Sequence, residues 1–335
     1  MSGKCPYSGA ELSAPKKCPF HEDTKELTSG DEMCSHARKK LEARALEAAS
    51  GISEERDWSK ANGEELKAHF TSAYNNVASG VSNRGNAEIA KILVQELGYT
   101  EEEISVIGED ARLMQGTGNP HRLAALREGE VVVDLGSGFG IDAILASHRV
   151  GKSGRVVGID LSIEEVSSAI KRVAGRKLRN VDFRLGDIES PPLEDASIDA
   201  VLSNGGFCLV PDKRKSFIEI FRMLKPGGRF SISCTVRKQQ LDPAKQWPSC
   251  MVVFMPLEGL EDMLRGIGFE SIEVDLSNSR VDLWDDENEK AARAKEMQES
   301  GKVTIHRGDP KFAFLKEMDM NEYFARVNVF GRKPN

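Results

Sequence analysis

The chain has 335 residues, with 39% hydrophobic and 30% charged side chains and a formal net charge of −7 at pH 7. This balance is typical of a water-soluble globular protein and allows one sizeable core with extensions. The acidic charge disfavours nucleic acid as a partner. No apolar run reaches the roughly 20 residues that span a bilayer, and the N-terminal stretch lacks the apolar core of a secretory signal. We therefore expect a cytoplasmic protein without a membrane partner.

Residues 1–30 are polar and rich in Pro, Gly, Ser and Lys, which predicts a flexible tail. Three of the six cysteines lie near this end, at Cys5, Cys18 and Cys34. Their spacing lacks the paired C-x-x-C steps of strong zinc motifs, so we expect reduced thiols and no metal. A metal site that also uses nearby histidines is the less favoured alternative.

Residues 31–112 are predicted to form a helical extension. Asp31 suits the N-cap of a first helix, and a second helix is predicted near Gly63 to Ala78. A third is predicted in NAEIAKILVQELG, whose final glycine suits a helix C-terminus.

Strand and helix patterns alternate over residues 113–277. Strands are predicted in EVVVDL, GRVVGID, NVDFRLGD, SIDAVLSN, GRFSISCTV and FESIEVDL, and helices in GIDAILASHRVG, SIEEVSSAIKRVAGRK, DKRKSFIEIFRMLK and LEGLEDMLRGIG. Ser162 is the expected N-cap of the second of these helices, with Glu165 in the capping-box position. The alternation predicts an α/β fold with right-handed crossovers and a doubly wound, Rossmann-like parallel sheet.

Residues 278–335 are predicted to form a C-terminal α+β elaboration. Residues 282–300 are charged and helix-prone, whereas KVTIHRG and KFAFLKEM are expected to pair as strands. The alternation in YFARVNVFGRKP predicts a terminal strand.

Three glycines follow the first predicted strand, Gly136, Gly138 and Gly140, in the spacing G-x-G-x-G. A dinucleotide-binding turn has the spacing G-x-G-x-x-G and binds a pyrophosphate. Asp134 directly before the turn would repel phosphates and attract an ammonium group. We therefore expect a positively charged ligand without a pyrophosphate, which argues against an NAD-dependent oxidoreductase.

Two further acidic residues end the next two predicted strands. Asp160 is placed to accept hydrogen bonds from ribose hydroxyls, and Asp187 is placed to accept the exocyclic amine of adenine. The carboxyl ends of parallel strands meet at one edge of a sheet, where doubly wound folds bind ligands. An amine, a ribose and an adenine together describe S-adenosylmethionine (SAM).

The segments VVVDLGSGFG, VVGIDLS, FRLGDIESPPLEDASIDAVLSN and IFRMLKPGGRFSIS resemble the motif series of class I SAM-dependent methyltransferases, over roughly Leu113 to Leu276. The resemblance implies a seven-stranded sheet with an antiparallel last strand, SAM as cofactor and S-adenosylhomocysteine as product. The further residues expected to contact SAM are Ser137, Leu161, Gly186, Ile188, Ser203 and Asn204 at the strand ends, Tyr74 on an N-terminal helix acting as a lid, and Gln115 and Asn119 at the amino-acid end.

MQGTGNPHRLAALREGEVVVDLGSGFGIDAILAS is similar to the arsenite methyltransferase family. That family typically holds trivalent arsenic with cysteines in GCGNP, in SNC and after the fifth strand. Here Thr117 and Gly205 replace the first two, and only Cys250 matches. Cys208 could take the place of the cysteine missing at Gly205 only if the loop between them turns back toward the site. The favoured interpretation is that the Cys208 side chain packs in the core. We expect another small-molecule acceptor, with arsenite or organoarsenical methylation through Cys250 and a second thiol as the alternative.

Two further features concern the acceptor. Gly205 and Gly206 would enlarge its pocket or let the backbone approach it, unless they only form a loop turn. His121, His148 and His306 are candidate bases, each more easily explained as structural, and Cys250 and His121 are retained as catalytic candidates. A non-catalytic SAM sensor is a third hypothesis, and the sequence leaves open a monomer or a homodimer.

Overall fold

The computed structural model of the chain describes residues 57–79, 87–281 and 310–335. Several predictions fall outside these residues: the flexible tail, the three N-terminal cysteines, the helix that begins at Asp31, the helical segment 282–300, the strand KVTIHRG and His306.

The strands form one sheet whose order is that of a doubly wound fold. The described strands are β1 (Val131–Leu135), β2 (Arg155–Asp160), β3 (Val181–Leu185), β4 (Ile198–Asn204), β5 (Leu224–Arg237), β6 (Met255–Pro256), β7 (Glu270–Asp275) and β8 (Phe324–Arg332). Their order is β3-β2-β1-β4-β5-β8-β7, with the two-residue β6 beside β5. Strands β1 to β5 are parallel, and β8 is antiparallel to both of its neighbours. The predicted parallel sheet with an antiparallel last strand is confirmed.

Helices cover the sheet, and several of the described ones precede its first strand in the chain. The described α-helices are α1 (Gly63–Ser79), α2 (Ala87–Glu96), α3 (Glu101–Ile107), α4 (His121–Ala124), α5 (Ile141–Val150), α6 (Ile163–Gly175), α7 (Lys213–Met223), α8 (Ser249–Val253), α9 (Leu260–Ile267) and α10 (Met320–Tyr323). Ser162 caps α6 as predicted, since its Oγ accepts the backbone N–H of Glu165 at 3.2 Å. Within the described ranges, no helix is long and apolar enough to cross a membrane.

The predicted strand in KFAFLKEM is wrong. Residues Pro310–Glu317 form a 3₁₀ helix. Two of its aromatic side chains pack in the structure: Phe312 is buried, and the ring of Phe314 packs edge-on against Trp247 with ring centroids 5.3 Å apart. The short alternation in this segment therefore reflects two packing contacts and not the period of a strand.

The central strands are apolar because both faces of the sheet are covered. Val133 belongs to the large core cluster on one face, and its neighbour Val132 to the cluster beneath α5 and α6 on the other. A third cluster joins the N-terminal helices to α5, through residues such as Val94, Ile107 and Leu145. This packing holds the segment before β1 next to the carboxyl ends of the strands.

Candidate functional site

A cavity of about 920 Å³, including its open mouth, lies at the carboxyl edge of β1 to β4. Its lining comes from α1 (Lys67, Phe70, Thr71, Tyr74), residues 113–116, the glycine turn 136–139 with Ile141, residues 160–162 with Glu165, Asp187 with Ile188, residues 204–206 and residues 209–211. The volume lies in the range of pockets that enclose organic ligands. The four α1 residues recur at the spacing i, i+3, i+4 and i+7, so one face of α1 forms a wall of the cavity.

The glycine turn brings its backbone to the cavity in the way that the sequence predicted. Gly136 and Gly138 have positive φ angles of 71° and 50°, which suit glycine. Gly138 donates its N–H to Asp160 Oδ2 at 2.8 Å. Gly140 serves packing instead, since a Cβ atom there would lie 2.5 Å from the ring of Phe183.

Asp134 is buried behind the turn and is not among the residues that line the cavity. Burial raises the pKa of its carboxyl well above the ordinary value, and the neighbouring carboxylates of Asp142 and Asp160 raise it further. Within the described residues its Oδ2 atom has no hydrogen-bond partner. A cation or a hydrogen-bond donor near this atom would stabilise the ionised form.

Asp160 lines the cavity and organises the loops around it. Its Oδ1 atom accepts the backbone N–H of Ser162 at 2.8 Å, while Oδ2 accepts that of Gly138. The Ser162 N–H that a capping box would pair with Glu165 is therefore bound to Asp160. Burial nevertheless raises the pKa of Asp160, because it penalises the charged form more than these hydrogen bonds favour it. Each oxygen retains capacity for a second donor from a ligand.

Asp187 also lines the cavity, but both of its oxygens have protein partners. Lys67 Nζ binds Asp187 Oδ2 at 2.8 Å, and Oδ1 accepts the backbone N–H of Glu189 at 2.8 Å. We did not predict Lys67 from the sequence. Its position seven residues before Tyr74, on the same face of a predicted helix, was the signal that could have found it.

The structure places Tyr74, Gln115, Ser137, Leu161, Ile188 and Asn204 on the cavity wall. Asn119, His121, Gly140, Gly186, Ser203 and Cys250 do not line it. The hydroxyl of Ser203 donates to the carbonyl of Leu135 at 2.7 Å, between two strands. The amide of Asn119 donates to Gly98 and Glu103, each at 3.0 Å, which holds the segment before β1 on the N-terminal helices.

Asn204 connects the tip of β4 to the loop before β1. Its Oδ1 atom accepts the N–H groups of Thr117 and Gly118, at 2.8 and 3.2 Å. Its Nδ2 atom donates to the carbonyl of Gly118 at 2.9 Å, to Asp142 at 3.1 Å and to the hydroxyl of Tyr99 at 2.8 Å. Sequence reasoning missed Tyr99, which lies in a segment without a motif, and Asp142, which lies two residues after Gly140 of the glycine turn.

His121 belongs to the same network and lies outside the cavity. Its Nε2 atom is 3.1 Å from Asp142 Oδ1, and its side chain is fully buried. His148 lies on the exposed end of α5. No described histidine lines the cavity.

The three cysteines in the described part of the chain differ in environment. Cys208 and Cys234 are buried in the core. A hydrogen bond from Cys234 lowers the pKa of Cys208 to about 7, and the N–H of Thr235 donates to the Cys208 Sγ at 3.0 Å. Burial raises the pKa of Cys250 to about 12, so its thiol is protonated at neutral pH. Among the described residues, no group of three His, Cys, Asp or Glu side chains could hold a metal ion.

Comparison with known proteins shows which proteins this architecture resembles. Residues 126–263 match the family described as a methyltransferase domain. The matched segment is less than half of the chain. The resemblance that the motifs predicted, to class I SAM-dependent methyltransferases near the arsenite branch, is confirmed.

Two curated relatives are arsenite methyltransferases. The chain is 38% identical to the arsenite methyltransferase of Halobacterium salinarum over 200 residues. The matched region covers 57% of this chain and 51% of the relative. Over 116 residues the chain is 40% identical to that of Aquipseudomonas alcaligenes, covering 32% and 34%. The chain thus spans about half, or less, of these relatives.

Among solved structures, the chain resembles phosphoethanolamine N-methyltransferase 2 of Haemonchus contortus in complex with SAM. The TM-score is 0.52 at 21% identity, over 71% of this chain and 53% of that chain. At this identity the likeness concerns the fold alone.

Proposed function

We propose that the protein is an enzyme that transfers a methyl group from SAM to a small-molecule acceptor. The methyltransferase domain and its curated relatives support this function. The observation that carries it is the cavity beside the glycine turn, because Asp160 and Glu165 give that cavity an acidic lining. Such a lining suits a cationic nucleoside and opposes a pyrophosphate.

The residues present are compatible with SAM. Lys67 is the sole Lys or Arg on the described cavity wall, and it is already paired with acidic residues. Phosphate groups would therefore find no available cation. The hydroxyl of Ser137, which lines the cavity and has no hydrogen-bond partner within the described ranges, is available to a polar ligand, and the unpartnered Asp134 Oδ2 lies behind the turn.

The proposed contacts follow the order of the strands. Asp160 would bind the ribose hydroxyls, and Asp187 with Ile188 would border the adenine. The backbone of the glycine turn, together with Gln115 and Asn204, would border the amino-acid end. Tyr74 would cover the donor from α1, with a neutral hydroxyl because burial raises its pKa.

Bound SAM would supply a methyl group attached to a positively charged sulfur, and this sulfur makes the rest of the molecule a good leaving group. In the transfer the acceptor would form a bond to the methyl carbon while the carbon–sulfur bond breaks, which releases S-adenosylhomocysteine. The chain would contribute alignment of the two reactants and exclusion of water. Since no described histidine lines the cavity, an acceptor that needs little help from a base is favoured.

Arsenite or organoarsenical methylation is the second candidate, supported by the arsenite methyltransferases among the relatives of the chain. Against it, Thr117 and Gly205 stand where that family has cysteines, and the Cys250 thiol is protonated and outside the cavity wall. A sensor that binds SAM without catalysis is the third.

Binding and turnover separate these functions. We expect SAM and S-adenosylhomocysteine, but not NAD, to bind and to stabilise the wild-type protein in calorimetry and thermal melts. Asp160→Ala should weaken SAM binding by about 1.5–3 kcal/mol, the usual value of a charge-assisted hydrogen bond. Asp195→Ala, at an exposed carboxylate, is the matched control.

Tritiated SAM with thiol, arsenical, amine and phenol acceptors then tests transfer. Label in any of these acceptors supports the enzyme, and label in arsenicals alone supports the second candidate. Binding of SAM without transfer to any acceptor favours the sensor. Stabilisation by NAD alone would contradict the proposed cofactor.

A further inference from the structure

Lys67 connects α1 to two other segments at the edge of the cavity. Its Nζ atom lies 2.8 Å from Asp187 Oδ2 and 2.7 Å from Glu189 Oε2. These carboxylates follow β3, about 120 residues further along the chain. A single ammonium group thus holds the helix that forms one cavity wall against a strand end that forms another.

The cluster around Lys67 is buried and well satisfied. The side chains of Lys67 and Glu189 are only 13% and 7% exposed. Glu189 Oε1 also accepts the backbone N–H of Asp212 at 2.9 Å, just before α7. Three segments therefore meet at one charge cluster, in which each partner fixes the position of the others.

The charge balance of the cluster depends on Lys67. Burial opposes its charged form, but hydrogen bonds to Asp187 and Glu189 outweigh this and raise its pKa. Lys215 is more distant, at 3.8 Å from Glu189, and its side chain is 52% exposed. Without Lys67, two neighbouring carboxylates would lack their close counter-charge, and Asp187 would turn away or bind a proton.

Two other contacts of α1 reach different segments. Asn75 and Ser162 pair at 2.7 Å at the end of β2, and His69 lies 3.1 Å from Ser249 beside Cys250. The Lys67 cluster differs from both because it is charged and borders Asp187 and Ile188 directly. It therefore lies at the end of the cavity where Asp187 and Ile188 form the wall.

We propose that Lys67 is a positioning residue for the nucleoside end of the cavity: it fixes the Asp187 carboxylate and holds α1 over the bound cofactor. This inference rests on the proposed function. Lys67 acts through Asp187 and α1 and has no role at the transferred methyl group. Its removal should therefore weaken SAM binding and leave the rate of transfer at saturating SAM little changed.

The experiment compares three variants of the full-length chain. Lys67→Met removes the charge and keeps much of the side-chain length, whereas Lys67→Arg keeps the charge. Lys60→Met removes a neighbouring lysine that is 81% exposed and paired with Asp57 at 2.8 Å, and serves as the matched control. Calorimetry gives the Kd for SAM, and steady-state kinetics with an acceptor identified as above gives KM and kcat.

We expect Lys67→Met to raise the Kd and the KM for SAM about tenfold or more, with kcat within about twofold of wild type. Lys67→Arg should recover part of the affinity, and Lys60→Met should match wild type. A general structural defect would lower kcat or the active fraction, and would not be rescued by charge alone.

The outcomes separate the two proposals. Absence of SAM binding by the wild-type protein would overturn both. Binding by wild type with an equal Kd for Lys67→Met would overturn only the role of Lys67. If Lys67→Met does not fold, Lys67→Gln, which also removes the charge but keeps a polar head group, takes its place, and an unchanged Kd for SAM in that variant would contradict the proposal.

Discussion

Gly136 and Gly206 pack backbone against backbone where the loops after β1 and β4 meet. A Cβ atom on Gly206 would lie 2.8 Å from the Cα of Gly136, and a Cβ atom on Gly136 would lie equally close to the Cα of Gly206. The sequence suggested that Gly206 makes room for an acceptor. In the structure its missing side chain makes room for the glycine turn, and this contact sets the distance between two walls of the cavity.

Gly206→Ala should therefore force the two loops apart. We expect a loss of about 1–3 kcal/mol in the free energy of unfolding, typical of overpacking, together with weaker SAM binding. Urea unfolding and calorimetry provide the measurement. Gly175→Ala is the control, since its added Cβ meets nothing within 4 Å. Equal stability of Gly206→Ala and wild type would mean that the loops can separate freely.

Gly116 and Asn204 should show a coupled response to mutation. A Cβ atom on Gly116 would lie 2.1 Å from Asn204 Nδ2, so Gly116→Ala displaces the amide that holds residues 117 and 118. We expect Gly116→Ala to be strongly destabilising in the wild-type background and less so in Asn204→Ala, where the clash is gone. A double-mutant cycle from urea unfolding measures this coupling. Additive effects would contradict direct contact between the two residues.

The buried carboxyl of Asp134 predicts a pH dependence of stability. Because its pKa is raised on folding, the folded protein binds this proton more tightly than the unfolded chain. Its stabilising contribution is present below the unfolded pKa and is lost as the pH rises through the folded pKa. Asp134→Asn, which does not ionise, should thus be more stable than wild type at about pH 8, by about 1.4 kcal/mol for each unit of the raised pKa.

Thermal melts without SAM between about pH 5 and pH 8 measure the difference between Asp134→Asn and wild type. The gap should close toward acid. Asp195→Asn, at a carboxylate that is 78% exposed, should show no such trend. A gap that widens toward acid would contradict a raised pKa for Asp134 in the folded protein.

Cys250→Ser should leave SAM affinity and transfer to non-arsenical acceptors close to wild type. The reason is that the thiol does not line the cavity and is protonated at neutral pH. Calorimetry and the tritiated-SAM assay check both quantities. Selective loss of arsenite turnover in this variant would instead support the arsenite alternative and show that Cys250 reaches the substrate.

Much of the site could be predicted because strand ends in a parallel sheet meet at one edge. Asp160, Asp187 and the glycine turn were assigned to that edge from their positions after apolar runs, and they line or form it. The same reasoning failed to separate Asn204, which lines the cavity, from Ser203, which donates to a strand carbonyl. Successive side chains of a strand point to opposite faces, and the sequence did not indicate which residue faces the cavity.

The antiparallel direction of the last strand was implied by the resemblance to class I SAM-dependent methyltransferases. The residues by themselves determined the order of strands and helices and the acidic character of the ligand site. These follow from local periodicity and from residues placed at strand ends, which depend on short stretches of chain. Only the tertiary structure decided that Lys67 pairs with Asp187, that Gly206 packs on Gly136 and that Asp134 lies behind the cavity wall. Each of these depends on the packing of segments about 70 to 120 residues apart, for which the amino-acid sequence carries no local signal.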